Sequence, residues 1–369
     1  MKPKEWINGL RMYEPGRPIE EVARELGFDD IGEVIKAASN ENELGPSPRA
    51  VEAMREAVSE MYRYPDGGCF YLKRKLAEML DVSPEQILFG CGSNELIVFL
   101  GHVFLERGTN LVMGAEAFAV YFLVAALYQA ECIRVPMPDH THDLEAMLAA
   151  VTPSTRLVIV CNPNNPTGTV VEKEAIYRFV EELPDHVLAV FDEAYVELMP
   201  ENMKPDLLQY IRSGKKNIVL LRTFSKAYGL AGLRIGYAIG HPETIALLNK
   251  VRQPFNVNAM AQAAALAALD DVTHLVETRK MVSQGLEFFY RELPAIGIRY
   301  VPSATNFILA KTGRGREVFE EMQKRKVIVR SMDGYGLPEY IRITVGLPKQ
   351  NMRILEALKE TINAMKQKQ

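Results

Sequence analysis

The sequence predicts an α/β protein: a mainly parallel seven-stranded sheet in a large domain, followed by a smaller α+β domain. Three observations carry this expectation. Between residues 86 and 240, seven short runs, "QILFG", "NLVMG", "CIRVP", "RLVIVC", "VLAVFDEAY", "NIVLLRTF" and "RIGYAIG", alternate with helical segments. Nearly continuous apolar runs of this kind are strands buried on both faces, as in parallel sheets covered by helices. From about residue 261 the pattern changes to a long helical stretch, "MAQAAALAALDDVTHLVETRKMVSQGLEFFYREL". It leads to strands "IRYVPS", "NFILAKT", "VIVRSM" and "YIRITVG" with amphipathic helices between and after them. Finally, 369 residues exceed what one hydrophobic core usually organises. We therefore expect an N-terminal extension over residues 1–40 packing with the small domain, a large domain over 41–260 and a small C-terminal domain over 261–369.

Composition narrows the function. Lys+Arg total 43 against Asp+Glu 47, a net charge of -4, which lacks the basic footprint of a nucleic-acid binder. Cys69, Cys91, Cys132 and Cys161 are scattered with no CxxC pair, the pattern of reduced thiols in a cytoplasmic protein rather than of a disulfide scaffold or zinc site. The opening "MKPKEWINGL" has no signal-type apolar core, and "FAVYFLVAALY" is about half the length a membrane span needs. His140 and His142 have no HExxH or cysteine partner at metal-ligand spacing, so we expect no metal and structural or solvent-facing histidines.

Ligands of doubly wound sheets bind beyond the carboxyl ends of the strands, so polar residues that directly follow apolar runs are the informative ones. In "LFGCGSNELIVFL" a strand runs through Gly90 and Gly92 to Ser93, Asn94 and a helix. Free amides at such a turn suit a phosphate; an ordinary turn with Ser93 or Asn94 as N-cap is the equal alternative. The string is neither a P-loop nor GxGxxG. "VIVCNPNNPTG" sets Asn162, Asn164 and Asn165 on a proline-stiffened turn, where their amides offer fixed donors. In "VLAVFDEAYVEL", Asp192 follows apolar residues directly. A buried carboxylate needs a cation or donors, and alone it reads as a structural ion pair. Tyr195, three residues on, can reach the same pocket. In "TFSKAYGLAGLRIGY", Lys226 stands at the end of a buried strand, where a lowered pKa makes an amine nucleophilic, and Arg234 supplies a fixed cation for a phosphate.

A phosphate cradle, amide donors, a carboxylate seeking a cation and a poised amine are together what pyridoxal phosphate asks for. With "SNENELGPSP", "YPD", "GCGSNE", "FAVY", "CNPNNPTG", "FDEAY", "TFSKAYGLAGLRIGY" and "VIVRSMDGYGLPEYIRITVG" in order along nearly the whole chain, the sequence resembles the fold-type I pyridoxal-phosphate aminotransferases. The resemblance implies roles. Lys226 would carry the cofactor and move the proton, and Asp192 would hold the ring nitrogen protonated. Asn165 and Tyr195 would bond the phenolic oxygen, and Phe118 would stack on the ring. Ser93, Asn94, Thr223, Ser225 and Arg234 would hold the phosphate, joined by Tyr64 from a neighbouring subunit in a homodimer with shared sites. Asn94 stands where the family usually has Asp, and Phe118 where it often has Tyr.

The substrate end is read from alternation. In "YIRITVG", Ile341, Ile343 and Val345 share one face and Arg342 and Thr344 the other, and Arg330 lies opposite Val327 and Val329. Two arginines on neighbouring strands suggest an anionic substrate group, solvated surface arginines being the alternative. The resemblance implies that Tyr13, Arg330 and Arg342 bind the phosphate of histidinol phosphate, with Arg342 taking the α-carboxylate of glutamate in the other half reaction. The activity implied is transamination between glutamate/2-oxoglutarate and histidinol phosphate/imidazole-acetol phosphate in histidine biosynthesis. Aromatic amino-acid transamination is the first alternative and decarboxylation of O-phosphothreonine a more distant one. A non-catalytic phosphate-binding module is disfavoured by Lys226, and a nicotinamide dehydrogenase by the lack of GxGxxG.

Overall fold

In the computed structural model, which describes residues 1–10, 12–13 and 16–367, the seven apolar runs form one sheet. Arg11, Glu14 and Pro15, within the expected N-terminal extension, lie outside the described residues, as do the last two. The strands are β1 (Ile87–Gly90), β2 (Asn110–Gly114), β3 (Glu131–Val135), β4 (Thr155–Cys161), β5 (Leu188–Asp192), β6 (Ile218–Thr223) and β7 (Gly236–Gly240), in the spatial order β1-β7-β6-β5-β4-β2-β3. Only β7 runs against its neighbours; the pairings among β2 to β6 are parallel.

The central strands are apolar at every position because both faces are covered. Val158, Val160, Ala189, Phe191, Ile218 and Leu220 belong to one core, and Leu157, Ile159, Leu188, Val190, Val219 and Leu221 to the other. This is the period-two alternation of a strand, with hydrophobic residues at both phases. The same parity aims the polar residues that end the strands. Asp192 continues the face of Leu188 and Val190, while Glu193 turns to the opposite face, where its Oε2 accepts from Arg222 Nε at 2.8 Å.

A second sheet holds β8 (Arg299–Val301), β9 (Phe307–Lys311), β10 (Arg330–Ser331) and β11 (Tyr340–Thr344) in the order β10-β11-β9-β8. Ile308, Ala310, Ile341 and Ile343 pack under helices Val272–Ala295 and Pro348–Gln367, leaving the alternate residues, Arg342 among them, on the other face. The run "VIVRSM" divides its pairing: Val327–Ile328 joins Ile35–Lys36 in parallel, and Arg330–Ser331 joins β11.

The long helical stretch expected after residue 261 is two helices, Ala259–Leu269 and Val272–Ala295. Paired aspartates cause the break: Asp271 caps the second helix by accepting from His274 N–H. Ala261, Ala264, Ala265 and Ala268 pack in the large-sheet core, while Met281 onward lies in the core under the second sheet. No helix among the described residues is long and apolar enough to cross a membrane.

Gly236 shows how tightly the sheet meets the helix that follows β1, Ser93–Phe104. A Cβ at this position would lie 2.4 Å from Ser93 N and 2.9 Å from Arg222 O, both backbone atoms that cannot swing away. Gly236→Ala is expected to destabilise the protein by about 1–3 kcal/mol, the usual range for overpacking, as measured by urea unfolding. Gly232, where a Cβ meets nothing within 4 Å, is the control for the same substitution.

Candidate active site

The carboxyl ends of β4, β5 and β6 open on one cleft. Every residue to which the resemblance gave a role lines it, except Tyr64; of the three asparagines in the proline-stiffened turn, only Asn165 does, Asn162 and Asn164 being engaged in local bonds to Val171, Glu116 and Thr167. Tyr64 is 83% exposed with its ring stacked on Phe255 at 4.8 Å, outside its own chain's cleft.

Asp192 closes β5 and is 3% exposed. Its Oδ2 accepts from the hydroxyl of Tyr121 at 2.6 Å and its Oδ1 from Ala194 N–H at 3.1 Å. Burial pushes the carboxyl up to about 6, with the Tyr121 bond pulling the other way. The sequence led us to expect a cation here, yet no ion pair reaches Asp192 among the described residues; the neutral Tyr121 hydroxyl stands in its place. Tyr121 belongs to the same "FAVY" string as Phe118 and was passed over. It could have been found, because a phenol in the otherwise apolar helix Val120–Leu127 must seek a partner once buried, and this one is 0% exposed.

Lys226 lies three residues beyond β6, its Nζ donating to Ser39 O at 3.0 Å and standing 5.9 Å from the Tyr195 ring centre. Burial, with help from Arg342, Arg234 and Lys36 against the opposing pull of Glu41, lowers its pKa to about 8. The amine is thus close to half neutral at mildly alkaline pH, as a nucleophile requires. Tyr195 is fully enclosed and accepts from Asn40 Nδ2 at 2.8 Å; burial raises its phenol far above the ordinary value. Asn40, also missed in the sequence, adopts φ 56°, a left-handed backbone that Asn tolerates better than most side chains.

At one end of the cleft the choice between an anion site and a capped turn can be examined directly. The N-cap of helix Ser93–Phe104 is Gly92, which has no side chain to offer, so Ser93 and Asn94 are helical residues and not caps. The first-turn N–H groups are left for an outside acceptor. Gly92 (φ 76°) also admits Arg234, whose Nη2 would lie 2.5 Å from an added Cβ. Thr223 Oγ1 donates to Ile235 O at 3.3 Å, while Ser225 Oγ is buried with no partner among the described residues. Open amides, an unused hydroxyl and a guanidinium fit a phosphate group, and the carboxyl of Asp192 fits a protonated ring nitrogen. The residues present therefore fit pyridoxal phosphate.

At the other end, Arg330 and Arg342 are direct partners across β10 and β11 and so share a face. Arg342 is 5% exposed; its Nη1 donates to Asn165 Oδ1 at 2.5 Å, its Nη2 to Ala38 O at 2.7 Å, and its guanidinium lies 5.1 Å from the Phe307 ring centre. Arg342 Nε is buried without a partner among the described residues, a donor held ready for an anion. With its oxygen engaged, Asn165 retains its Nδ2 as a donor. Tyr13 sits edge-on to Phe118 at 6.4 Å, and Tyr335, which the sequence reading did not single out, completes this wall.

This fold and cleft define an aminotransferase, and the comparisons agree. A family model described as aminotransferase class I and II matches residues 32–358; the chain belongs to that family. Among its relatives is the histidinol-phosphate aminotransferase of Moorella thermoacetica, 46% identical over 98% of this chain and 93% of the relative. Another is that of Akkermansia muciniphila, 47% identical over 96% of each. Among solved structures, histidinol-phosphate aminotransferase from Sinorhizobium meliloti in complex with pyridoxal-5'-phosphate superposes with a TM-score of 0.91 at 30% identity, covering 99% of this chain and 98% of that one.

Two titrations check the electrostatics. In the cofactor-free protein, reductive methylation of Lys226, followed by peptide mass spectrometry, should show a midpoint near pH 8, and Arg342→Gln should move it upward by removing a nearby cation. Tyr121→Phe removes a donor from the Asp192 carboxylate and so raises that carboxyl further. Cofactor affinity at pH 7 should fall with the ionised fraction of that carboxyl, by about twofold for the first unit of rise above about 6 and by roughly tenfold per unit only once it titrates above pH 7.

Proposed function

We propose that the protein catalyses pyridoxal-phosphate-dependent transamination between glutamate/2-oxoglutarate and histidinol phosphate/imidazole-acetol phosphate, a step of histidine biosynthesis. The observation that carries the reading is a single cleft in which Lys226 and Asp192 lie between an uncapped helix N-terminus and a pair of arginines. The histidinol-phosphate aminotransferases among its relatives, similar over nearly the whole chain, support the substrate. We further place the enzyme in the cytoplasm as a homodimer. Four unpaired cysteines support the first, and the exposure of Tyr64, which would reach the phosphate end of a second chain's cleft, supports the second.

The bound cofactor supplies an electron sink for the pair left on the substrate carbon when its proton departs. The chain's own residues do the rest. Ser93, Asn94, Thr223, Ser225 and Arg234 hold the phosphate, and Phe118 stacks on the ring. Asn165 and Tyr195 bond the phenolic oxygen. Asp192 keeps a proton on the ring nitrogen, which a buried carboxylate does more strongly than a solvated one. Lys226 Nζ carries the cofactor between turnovers and moves the proton. Arg342 binds the α-carboxylate of glutamate, and with Arg330 and Tyr13 it binds the phosphate of the other substrate, so one cationic wall serves both half reactions.

With glutamate as donor, kcat/KM for imidazole-acetol phosphate should exceed that for phenylpyruvate; the reverse order would make the protein an aromatic aminotransferase. Lys226→Ala should abolish turnover with the fold retained by circular dichroism. Arg330→Gln should raise KM for the phosphorylated substrate roughly tenfold, and for glutamate distinctly less.

A further inference from the structure

Outside the cleft, Glu116, His140 and Tyr340 form a chain of contacts for which the reaction itself has no use. His140 Nδ1 lies 2.6 Å from Glu116 Oε2, and its Nε2 lies 3.2 Å from the Tyr340 hydroxyl, with the two rings edge-on at 5.2 Å. A carboxylate can only accept, so Nδ1 carries a proton, and in the neutral ring Nε2 accepts from the phenol. We infer that His140 is a positioning residue that sets the strand carrying Arg342 against the loop carrying Phe118. This rests on the transaminase reading and adds to it a determinant of substrate binding.

Three observations support the inference. Glu116 stands two residues before Phe118, and Tyr340 two residues before Arg342 on the same face of β11, so His140 touches each functional element one step from its working residue. Those elements belong to different cores: Phe118 packs against the core on one face of the large sheet, and the apolar face of β11 lies in the core under the second sheet. Their separation must therefore be set by contacts between them. Such contacts form a closed circuit: Glu116 O accepts from Asn164 Nδ2 at 2.9 Å, the next residue, Asn165, accepts from Arg342, and Tyr340 leads back to His140. The backbone of His140 is tied to the same asparagine turn, its carbonyl accepting from Thr169 Oγ1 at 2.7 Å.

The third observation is conformational. Asp139 and His140 are consecutive non-glycine residues with φ 48° and 61°, a region L side chains occupy only when surrounding contacts compensate. Lys311 Nζ also lies over the Tyr340 ring at 5.6 Å and pairs with Glu339 at 3.0 Å, a second contact on the phenol. Small displacements of a binding group weaken substrate binding steeply, and removing this tether should be visible there first.

The test compares holoenzyme variants His140→Asn, Tyr340→Phe and the double variant. Asn tolerates the left-handed backbone but lacks both ring contacts, whereas Phe removes only the hydroxyl. The readouts are calorimetric Kd for 2-oxoglutarate and for inorganic phosphate, KM and kcat with glutamate, Tm, and the cofactor absorbance spectrum. Each single variant should weaken 2-oxoglutarate binding and raise KM for glutamate roughly five- to tenfold, with kcat changed less than about twofold and the spectrum unchanged. The double variant should be no worse than His140→Asn alone, because both changes cut the same link. Unchanged Kd values, additive effects, or a lowered Tm with unaltered Kd would overturn the inference and leave a structural contact. A wild-type enzyme that binds 2-oxoglutarate without turning over would sink the transaminase reading alone; one that binds neither anion would sink both.

Discussion

Asp192 ends a central strand with a phenol and one amide N–H for company, and the cleft is arranged around that carboxylate. Enclosing an ionised carboxyl costs several kcal/mol unless a positive charge answers it. The adjacent Glu193 has such an answer in Arg222 on the opposite face of the sheet. Asp192 has none among the described residues, and its carboxyl is pushed up to about 6 as a result. One strand over, the same burial acts with opposite sign on Lys226, lowering its amine to about 8. An acid that is hard to ionise and a base that is hard to protonate stand at neighbouring strand ends. Each is unfavourable for stability alone, and each is what the proposed coenzyme chemistry would use.

Charge is partitioned along the cleft with similar economy. The end proposed for the phosphate offers backbone amides at an uncapped helix start and the guanidinium of Arg234, whereas the end proposed for the substrate offers side chains from the second sheet. Arg342 is nearly buried, lies over the face of Phe307 and has its Nη atoms committed to Asn165 and Ala38, so its direction is fixed before a substrate arrives. Such preorganisation avoids the entropy of ordering a long flexible side chain at the moment of binding.

Much of this was legible in the sequence, for physical reasons. Strands buried on both faces must be apolar throughout, so the runs of the inner strands announced themselves, and the polar residues directly after them had to sit at the carboxyl ends. Alternation in "YIRITVG" placed Arg342 opposite Ile341 and Ile343. What escaped was pairing across long separations. The bond from Tyr121 to Asp192 spans 71 residues and that from Asn40 to Tyr195 spans 155, and neither leaves a local periodicity to read. The break at Asp270–Asp271 was hidden because good helix formers run up to it on both sides, the alanine-rich Ala259–Leu269 before it and Val272–Ala295 after it. The role proposed for Tyr64 lies in a second chain, beyond what one chain's packing can express.

The covalent attachment at Lys226 is the claim on which the chemistry depends, and it can be measured without any substrate. Protein saturated with pyridoxal phosphate, reduced with borohydride, digested and mapped by mass spectrometry should carry the pyridoxyl group on the peptide containing Lys226. Modification of a different lysine, or of none, would contradict the account.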